Sequence, residues 1–208
     1  MKISDSKLEI YCGQMFSGKT ESLLRKLDRF YYAKVETIVF KLKKDSRFSE
    51  EKIVSHAKNS IKAINIETPM DIWQYCQKHP DIKHIAIDEI QFLPTHDPDT
   101  FKPLAFDAVK LCKQLKMSGY HVMASGLDMD YKGDPYGIMP QLLAIADEVH
   151  KLKAVCFKCG ADAGFSSRLT DNEAIEVIGE KDIYEARCYD HWLERILELK
   201  NKKSKPIK

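Results

Sequence analysis

Short apolar runs alternate with amphipathic segments along most of the chain. Leu8–Cys12 is apolar and ends at a glycine, and Val35–Phe40 is rich in β-branched residues, so each is predicted to be a buried strand. Between them, Lys19–Tyr32 carries leucine and aromatic residues at helical spacing, which predicts an amphipathic helix. The alternation continues as far as about Lys153.

The remaining elements of this part are predicted on the same grounds. Strands are expected at Ile61–Ile66, Ile82–Ile87, Tyr120–Ser125 and Asp147–Lys153. Helices are expected at Asp71–Lys78, Phe101–Met117 and Gln141–Ala146. Strands that alternate with helices imply a parallel sheet with right-handed crossovers, so the predicted fold class is α/β.

The pattern changes at about Ala154. Short β-like pieces follow, Ile175–Ile178 among them, and a helix is predicted from about Tyr189. The chain then ends in a basic, apolar-poor tail that we expect to be flexible. The predicted organisation is an α/β domain at 1–153, a smaller domain with a C-terminal helix at 154–200, and a flexible basic tail at 201–208.

Composition restricts the classes of protein to which this chain can belong. It has 208 residues, of which 44% are hydrophobic and 31% charged, and its net charge is +2. This excludes a membrane protein, a secreted disulfide-rich protein and a disordered chain, and the charge balance argues against a dedicated nucleic-acid or membrane binder. Met1–Leu8 contains no apolar signal core, so we expect a cytoplasmic protein.

A phosphate-binding loop follows the first predicted strand. Gly13–Thr20 reads GQMFSGKT, a full match to G-x-x-x-x-G-K-[ST]. The glycines let backbone N–H groups point into one concave site for phosphate oxygens, and the following helix directs its positive end at the same place. Lys19 would reach the β- and γ-phosphates, and the Thr20 hydroxyl would hold Mg²⁺. Together with the alternating elements, this predicts a P-loop, RecA-like parallel sheet flanked by helices.

Two adjacent acidic residues follow the strand predicted at Ile82–Ile87. Asp88 stands at the carboxyl end of that strand, the edge where open α/β sheets bind ligands. It fits the second carboxylate that positions Mg²⁺ in phosphate-loop proteins. Glu89 would point elsewhere, and it could take a proton from a substrate hydroxyl or orient a water molecule. These two acts correspond to a kinase and to an ATPase.

The last three of the six cysteines form a metal-site pattern with a histidine. Cys156 and Cys159 make a C-x₂-C pair, and Cys188 and His191 make a C-x₂-H pair. Each pair can supply two ligands, and together they would make a closed tetrahedral Cys₃His zinc site. A site without an open position is structural, and it would tie the base of the Gly160–Arg187 loop.

These features, in this order, resemble the type II thymidine kinases, the tetrameric cellular and bacterial family. The similar segments are GQMFSGKT, DEIQF at Asp88–Phe92, GLDMDYKGDPYG at Gly126–Gly137, and IEVIG at Ile175–Gly179. The resemblance extends over about Leu8–Trp192. It implies that ATP phosphorylates the 5′-hydroxyl of thymidine to give dTMP in pyrimidine deoxynucleotide salvage, with deoxyuridine as a candidate second substrate. It also implies a homotetramer, feedback inhibition by dTTP, and a zinc-clamped lasso over the substrate.

The resemblance assigns roles residue by residue. Glu89 would be the catalytic base, and Thr20 and Asp88 would serve Mg²⁺. ATP would be bound by Gly13, Gln14, Met15, Phe16, Ser17, Gly18, Lys19, Thr20, Asp88 and Gln91. The thymidine site would be lined by Met15, Leu127, Tyr131, Tyr136, Ser166, Ile175, Val177 and Tyr184. Arg168, in the lasso, is a further candidate for adding positive charge near the γ-phosphoryl group.

Two other functions fit parts of the same pattern. A zinc-bearing ATPase switch that acts on nucleic acid would also have a phosphate loop, an acidic pair and a zinc knuckle. Against it, the chain lacks the basic stripe interleaved with aromatic residues that single-strand binding requires. A kinase for another pyrimidine deoxynucleoside would differ only in the base pocket. The kinase interpretation requires thymidine and ATP as partners and expects no nucleic acid or membrane.

Overall fold

The computed structural model describes residues 6–42, 52–54, 60–170 and 183–203. Its centre is a six-stranded sheet in the order β5-β2-β6-β7-β1-β8, and every neighbouring pair is parallel. The strands of the sheet are β1 (Lys7–Cys12), β2 (Thr37–Leu42), β5 (Ile64–Ile66), β6 (His84–Asp88), β7 (His121–Gly126) and β8 (Glu148–Lys151). A separate hairpin is formed by β3 (Lys52–Val54) and β4 (Ser60–Lys62).

Helices cover both faces of the sheet, as the α/β prediction required. They are α1 (Lys19–Tyr32), α2 (Pro69–Lys78), α3 (Ala108–Met117) and α4 (Met139–Ile145). Successive strand residues point to opposite faces. Side chains such as Ile85 and Ile87 pack with α2, α3 and α4, whereas Ala86 between them packs with leucines of α1. The sheet is therefore buried between two helical layers.

The strand order decides where the site lies. Strands β6 and β1 both pair with β7, so their carboxyl ends meet at one edge of the sheet. The phosphate loop follows β1, the acidic pair follows β6, and the loop that begins at Leu127 follows β7. Three segments with candidate chemistry, far apart in sequence, are thus neighbours in space.

The smaller module follows β8. It contains the antiparallel pairs β9 (Ala154–Val155) with β10 (Asp162–Ala163) and β11 (Phe165–Arg168) with β12 (Tyr184–Arg187). The last helix, α5 (Tyr189–Lys203), lies on β11, where the Trp192 ring stacks on Phe165 with centroids 4.5 Å apart. Helix α5 thus continues three residues into the segment predicted as tail. No helix in the described ranges is long and apolar enough to cross a membrane.

One predicted helix begins later than the sequence suggested. The apolar pattern predicted a helix over Phe101–Met117, but α3 begins at Ala108. Asp107 has an extended backbone, and its carboxylate accepts a hydrogen bond from the Lys110 amide at 2.9 Å, which caps the helix. Phe101 has a left-handed φ of 53°, and Pro103 bridges to His96. Apolar residues before the cap therefore belong to a loop.

Candidate active site

The phosphate loop has the backbone that its glycines permit. Gly18 is left-handed, with φ 79°, and caps the start of α1. Gly13 has φ 143°, and a side chain there would collide with the Leu152 carbonyl oxygen. The buried Lys19 ammonium donates to the Gln14 carbonyl at 2.9 Å. The loop thus curls around its own lysine, with the first turn of α1 directed at the enclosed space.

Asp88 lies directly beside the phosphate loop. The Thr20 hydroxyl is 3.3 Å from Asp88 Oδ1, and the Ser125 hydroxyl from the end of β7 donates to the same oxygen. The Asp88 side chain is buried. A carboxylate and a hydroxyl held together at a helix N-terminus are the oxygen donors that Mg²⁺ prefers, so these residues fit that ion.

Glu89 is held in a special backbone conformation next to Asp88. Its φ of 55° is left-handed, which is uncommon for a residue with a side chain and clusters at functional sites. The Gln91 amide donates to Glu89 Oε2 at 2.6 Å. Gln91 is itself buried, so this hydrogen bond holds the Glu89 carboxylate in one orientation. Asp88 and Glu89 thus have different hydrogen-bond partners, since Asp88 contacts Thr20 and Ser125 whereas Glu89 contacts Gln91.

The phosphate loop is also tied to the smaller module. The Gln14 amide donates to the Ala163 carbonyl, and the Met15 amide donates to Ser166 Oγ at 3.0 Å. Phe16 packs against the small core of the module. These contacts bring together Met15 and Ser166, two residues predicted for the nucleoside pocket. They also give the Gln14 side chain a structural partner that sequence reasoning did not foresee.

The loop after β7 presents two buried tyrosines. Asp130 Oδ1 accepts hydrogen bonds from the amides of Lys132 and Asp134 at 2.8 and 3.0 Å, which fixes a tight turn. Tyr136 packs edge-on against Phe92, with centroids 5.9 Å apart. The Tyr131 carbonyl accepts a hydrogen bond from the Trp192 indole at 3.0 Å. The loop therefore spans from the sheet edge, which carries Gln91 and Phe92, to helix α5.

Arg168 links this loop to the module. Its guanidinium carbon lies 3.8 Å from the ring centroid of Tyr131 and 5.1 Å from that of Tyr184. It also donates a hydrogen bond to the Tyr184 hydroxyl. Tyr131 and Tyr184, two predicted pocket residues, are thus brought together. Ile175 and Val177, predicted for the same pocket, lie outside the described residues, as does the strand predicted at Ile175–Ile178.

The four predicted zinc ligands converge. One ligand atom from each of Cys156, Cys159, Cys188 and His191 lies within 4.8 Å of the others. Cys159 Sγ and Cys188 Sγ are 3.8 Å apart, and Cys156 Sγ is 3.7 Å from His191 Nδ1. Tetrahedral zinc with Zn–S bonds of about 2.3 Å separates its sulfurs by about 3.8 Å, so these residues fit zinc.

The environment of Cys156 also favours a metal ligand. Burial opposes ionisation of its thiol, but nearby backbone N–H groups, that of Cys188 first, lower its pKa to about 6. A thiolate is the form that binds metal. The described part of the chain holds a second group of possible ligands, Glu9, Glu148 and His150. There, two lysine ammonium groups lie 3.5 Å or less from Glu9, and their charge opposes cation binding.

Sequence reasoning did not name Ser125, and it did not foresee the partners of two residues that it did name, Gln14 and Arg168. Ser125 donates to Asp88, the Gln14 side chain donates to the Ala163 carbonyl, and Arg168 stacks on Tyr131. Ser125 had a detectable signal, since it ends a parallel strand at the ligand-binding edge. The partners of Gln14 and Arg168 had no such signal, because they come from segments distant in sequence.

Comparisons with known proteins agree with these features. A model of the family described as thymidine kinase matches residues 6–192. A thymidine kinase from Bacteroides thetaiotaomicron is 41% identical over 189 residues, which is 90% of this chain and 87% of that protein. The genome packaging NTPase B204 from Sulfolobus turreted icosahedral virus 2, in complex with ATP-gammaS, matches with TM-score 0.46 and 12% identity, covering 100% of this chain and 89% of that one. From its family match and its sequence identity, the chain belongs to the thymidine kinase family.

Proposed function

We propose that this chain transfers the γ-phosphoryl group of ATP to the 5′-hydroxyl of thymidine, giving dTMP for pyrimidine deoxynucleotide salvage. Deoxyuridine is a second substrate to test. The observation that carries the proposal is the junction of Thr20, Asp88 and Glu89, where the phosphate loop meets an oriented carboxylate at one sheet edge. Family membership supplies the acceptor.

ATP is assigned to the phosphate loop, Gly13–Thr20. Its amides and the Lys19 ammonium would bind the phosphate oxygens, and Thr20 and Asp88 would hold Mg²⁺, which neutralises charge on the β- and γ-phosphates when bound. The distance of 3.3 Å between the Thr20 hydroxyl and Asp88 supports this assignment. In such reactions, positioning and charge stabilisation supply most of the rate acceleration.

Glu89 is assigned the role of general base. A nucleoside hydroxyl is a weak nucleophile near neutral pH, so a carboxylate that accepts its proton favours attack. The hydrogen bond from Gln91 at 2.6 Å would keep one oxygen of Glu89 fixed and direct the other at the hydroxyl. If Glu89 oriented a water molecule instead, the reaction would be ATP hydrolysis. The phosphoryl acceptor must therefore be tested directly.

The thymidine is assigned to the space between the loop after β7 and the module. Met15 contacts Ser166, and Tyr131 and Tyr184 both contact Arg168. Ser166 and Arg168 lie two residues apart on β11, which supports one common pocket. Leu127 and Tyr136 would complete its wall from the sheet side. Main-chain groups near Ile175 and Val177 would bind the base. A pocket of this type suits a pyrimidine and excludes the larger purines.

The organisation into domains is assigned in the same way. We assign phosphoryl transfer to residues 1–153 and closure over the nucleoside to residues 154–200, with zinc holding the base of the lasso through Cys156, Cys159, Cys188 and His191. Closure would exclude water and favour transfer over ATP hydrolysis.

We further propose that the protein is cytoplasmic, forms a homotetramer and is inhibited by dTTP. Light scattering and inhibition kinetics test the assembly and the feedback.

The first experiment supplies purified protein with ATP, Mg²⁺ and each deoxynucleoside, including deoxyuridine, and measures 5′-monophosphates. Thymidine monophosphate is expected to form, and purine nucleosides are expected to be refused. ATP hydrolysis without nucleoside phosphorylation would contradict the proposal and favour a switch-like ATPase. Stimulation of that hydrolysis by single-stranded DNA would then identify the nucleic-acid function.

A further inference from the structure

Arg168 is a buried arginine that lies between two tyrosines of the proposed nucleoside pocket. Only 1% of its surface is exposed. Its guanidinium stacks 3.8 Å from the Tyr131 ring centroid, lies 5.1 Å from that of Tyr184, and donates to the Tyr184 hydroxyl. A planar guanidinium can stack on a ring and donate in its own plane at once, which a lysine ammonium cannot do.

The main chains on both sides of the contact between Arg168 and Tyr131 are hydrogen-bonded to side chains of helix α5. Arg195 donates to the Arg168 carbonyl at 3.2 Å and to the Leu169 carbonyl at 2.8 Å. The Trp192 indole donates to the Tyr131 carbonyl at 3.0 Å. Helix α5 therefore holds the main chains of both Tyr131 and Arg168. The Arg168 guanidinium in turn fixes the Tyr131 ring relative to the Tyr184 ring.

We infer that Arg168 is a positioning residue that sets the shape of the nucleoside pocket, and that it does not serve the phosphoryl group. It holds Tyr131, from the loop after β7, against Tyr184, from β12. The inference rests on the proposed thymidine site. Its consequence is specificity, because a closely fitted wall is what lets a pocket distinguish a pyrimidine with a 5-methyl group from one without it.

Two variants test this inference. Arg168→Met keeps roughly the length of the side chain and removes its charge and its planar guanidinium group. Arg168→Lys keeps a positive charge and removes only the planar group. For Arg168→Met we expect KM and Kd for thymidine to rise about tenfold or more, with kcat and KM for ATP within about twofold of wild type. The preference for thymidine over deoxyuridine should fall toward one, and Arg168→Lys should lie closer to the methionine variant than to wild type.

A matched control separates positioning from general destabilisation. Arg187, on β12, is also buried, but its guanidinium binds Glu185 and the His191 carbonyl. Arg187→Lys should lower the melting temperature and leave the nucleoside preference unchanged. A loss confined to kcat in Arg168→Met, with KM, Kd and preference as in wild type, would overturn the inference and favour a phosphoryl role.

Nucleoside binding, measured by calorimetry without ATP, distinguishes failure of the inference from failure of the proposed function. Wild-type protein that binds thymidine but does not phosphorylate it would contradict the proposed transfer, while a weakened Kd in Arg168→Met would still support positioning. Wild-type protein that binds neither nucleoside would overturn both. A wild-type preference already near one would overturn the specificity that we assign to Arg168.

Discussion

The sheet domain and the smaller module are stabilised in different ways. The sheet domain buries isoleucine, leucine and aromatic side chains of strands and helices on both sheet faces. In the described part of the module, the buried apolar cluster contains Ala154, Cys156, Ala163 and Ala186. Small side chains bury little apolar surface, so we propose that metal bound at the Cys₃His cluster adds the stability that this core lacks. One chain thus combines a domain with a large apolar core and a module with a small one.

The comparison is tested most severely by removing one cysteine from each region. Cys156→Ala removes a predicted zinc ligand, and structural zinc contributes about 10 kcal/mol or more to small domains. We expect zinc content and thymidine phosphorylation to be lost while the sheet domain stays folded. Metal analysis, far-UV circular dichroism and activity assays measure these effects.

The matched control is Cys112, which is buried in the sheet core. Cys112→Ala should cost about 1–2 kcal/mol of unfolding free energy and leave zinc content intact, because it only removes a small buried group. Full zinc occupancy in Cys156→Ala would show that this residue is not a ligand.

The second test separates the chemistry of the sheet edge from the stability of the sheet. Glu89→Gln should lower kcat at least about 10²-fold, the lower range for loss of a general base. Thymidine binding and melting temperature should hold, since the amide keeps the size of the side chain. Steady-state kinetics and calorimetry check this, with the surface variant Glu21→Gln as control. A near-wild-type kcat would remove Glu89 from the role.

The third test concerns a polar cluster that the sheet domain buries. Glu9, which is 1% exposed, is bound by His121 at 3.2 Å and His150 at 3.0 Å, by the Tyr11 hydroxyl at 2.6 Å, and by lysine ammonium groups. Burial opposes the charge on Glu9, but hydrogen bonds from His121, Tyr11 and Lys26 outweigh it, so its pKa lies well below the usual range. At neutral pH, Glu9→Gln should lower the free energy of unfolding by about 2 kcal/mol.

The sign of the pH dependence follows from that lowered pKa. An unfolded Glu9 takes up protons below its ordinary pKa of 4.5, while the folded carboxylate stays charged. The stabilisation is therefore complete above about pH 5 and is lost as the pH falls toward the folded-state pKa. Urea unfolding from pH 7 to pH 3 should show the wild-type advantage over Glu9→Gln shrinking. An advantage that stayed constant with pH would contradict this account.

The smallest expected effect concerns the surface of the module. Lys153 and Asp162 form an ion pair at 3.1 Å, with side chains 62% and 77% exposed. Exposed pairs contribute little because water screens them, so Lys153→Ala should change the unfolding free energy by less than about 0.5 kcal/mol. A larger loss in thermal unfolding of the zinc-bound protein would mean that surface charge, and not metal alone, holds the module.

The sequence determined the α/β class, the phosphate loop, the acidic pair and the candidate metal ligands. Each is encoded within a few residues: by alternating apolar runs, by GQMFSGKT, by an acid at a strand end, and by two C-x₂ pairs. One local pattern also gave a wrong helix boundary. The apolar face before Ala108 predicted helix, although Asp107 caps α3 from an extended backbone.

Only the tertiary structure decided which distant residues complete the site. Ser125 reaches Asp88, Gln14 reaches Ala163, and Arg168 reaches Tyr131, and in each pair the partners lie on segments separated by other elements. The same holds for Glu9, whose histidine partners come from β7 and β8. Such contacts depend on strand order and on which face a side chain occupies. No local sequence pattern predicts these contacts, because the order of strands in a sheet is set by packing and not by their order along the chain.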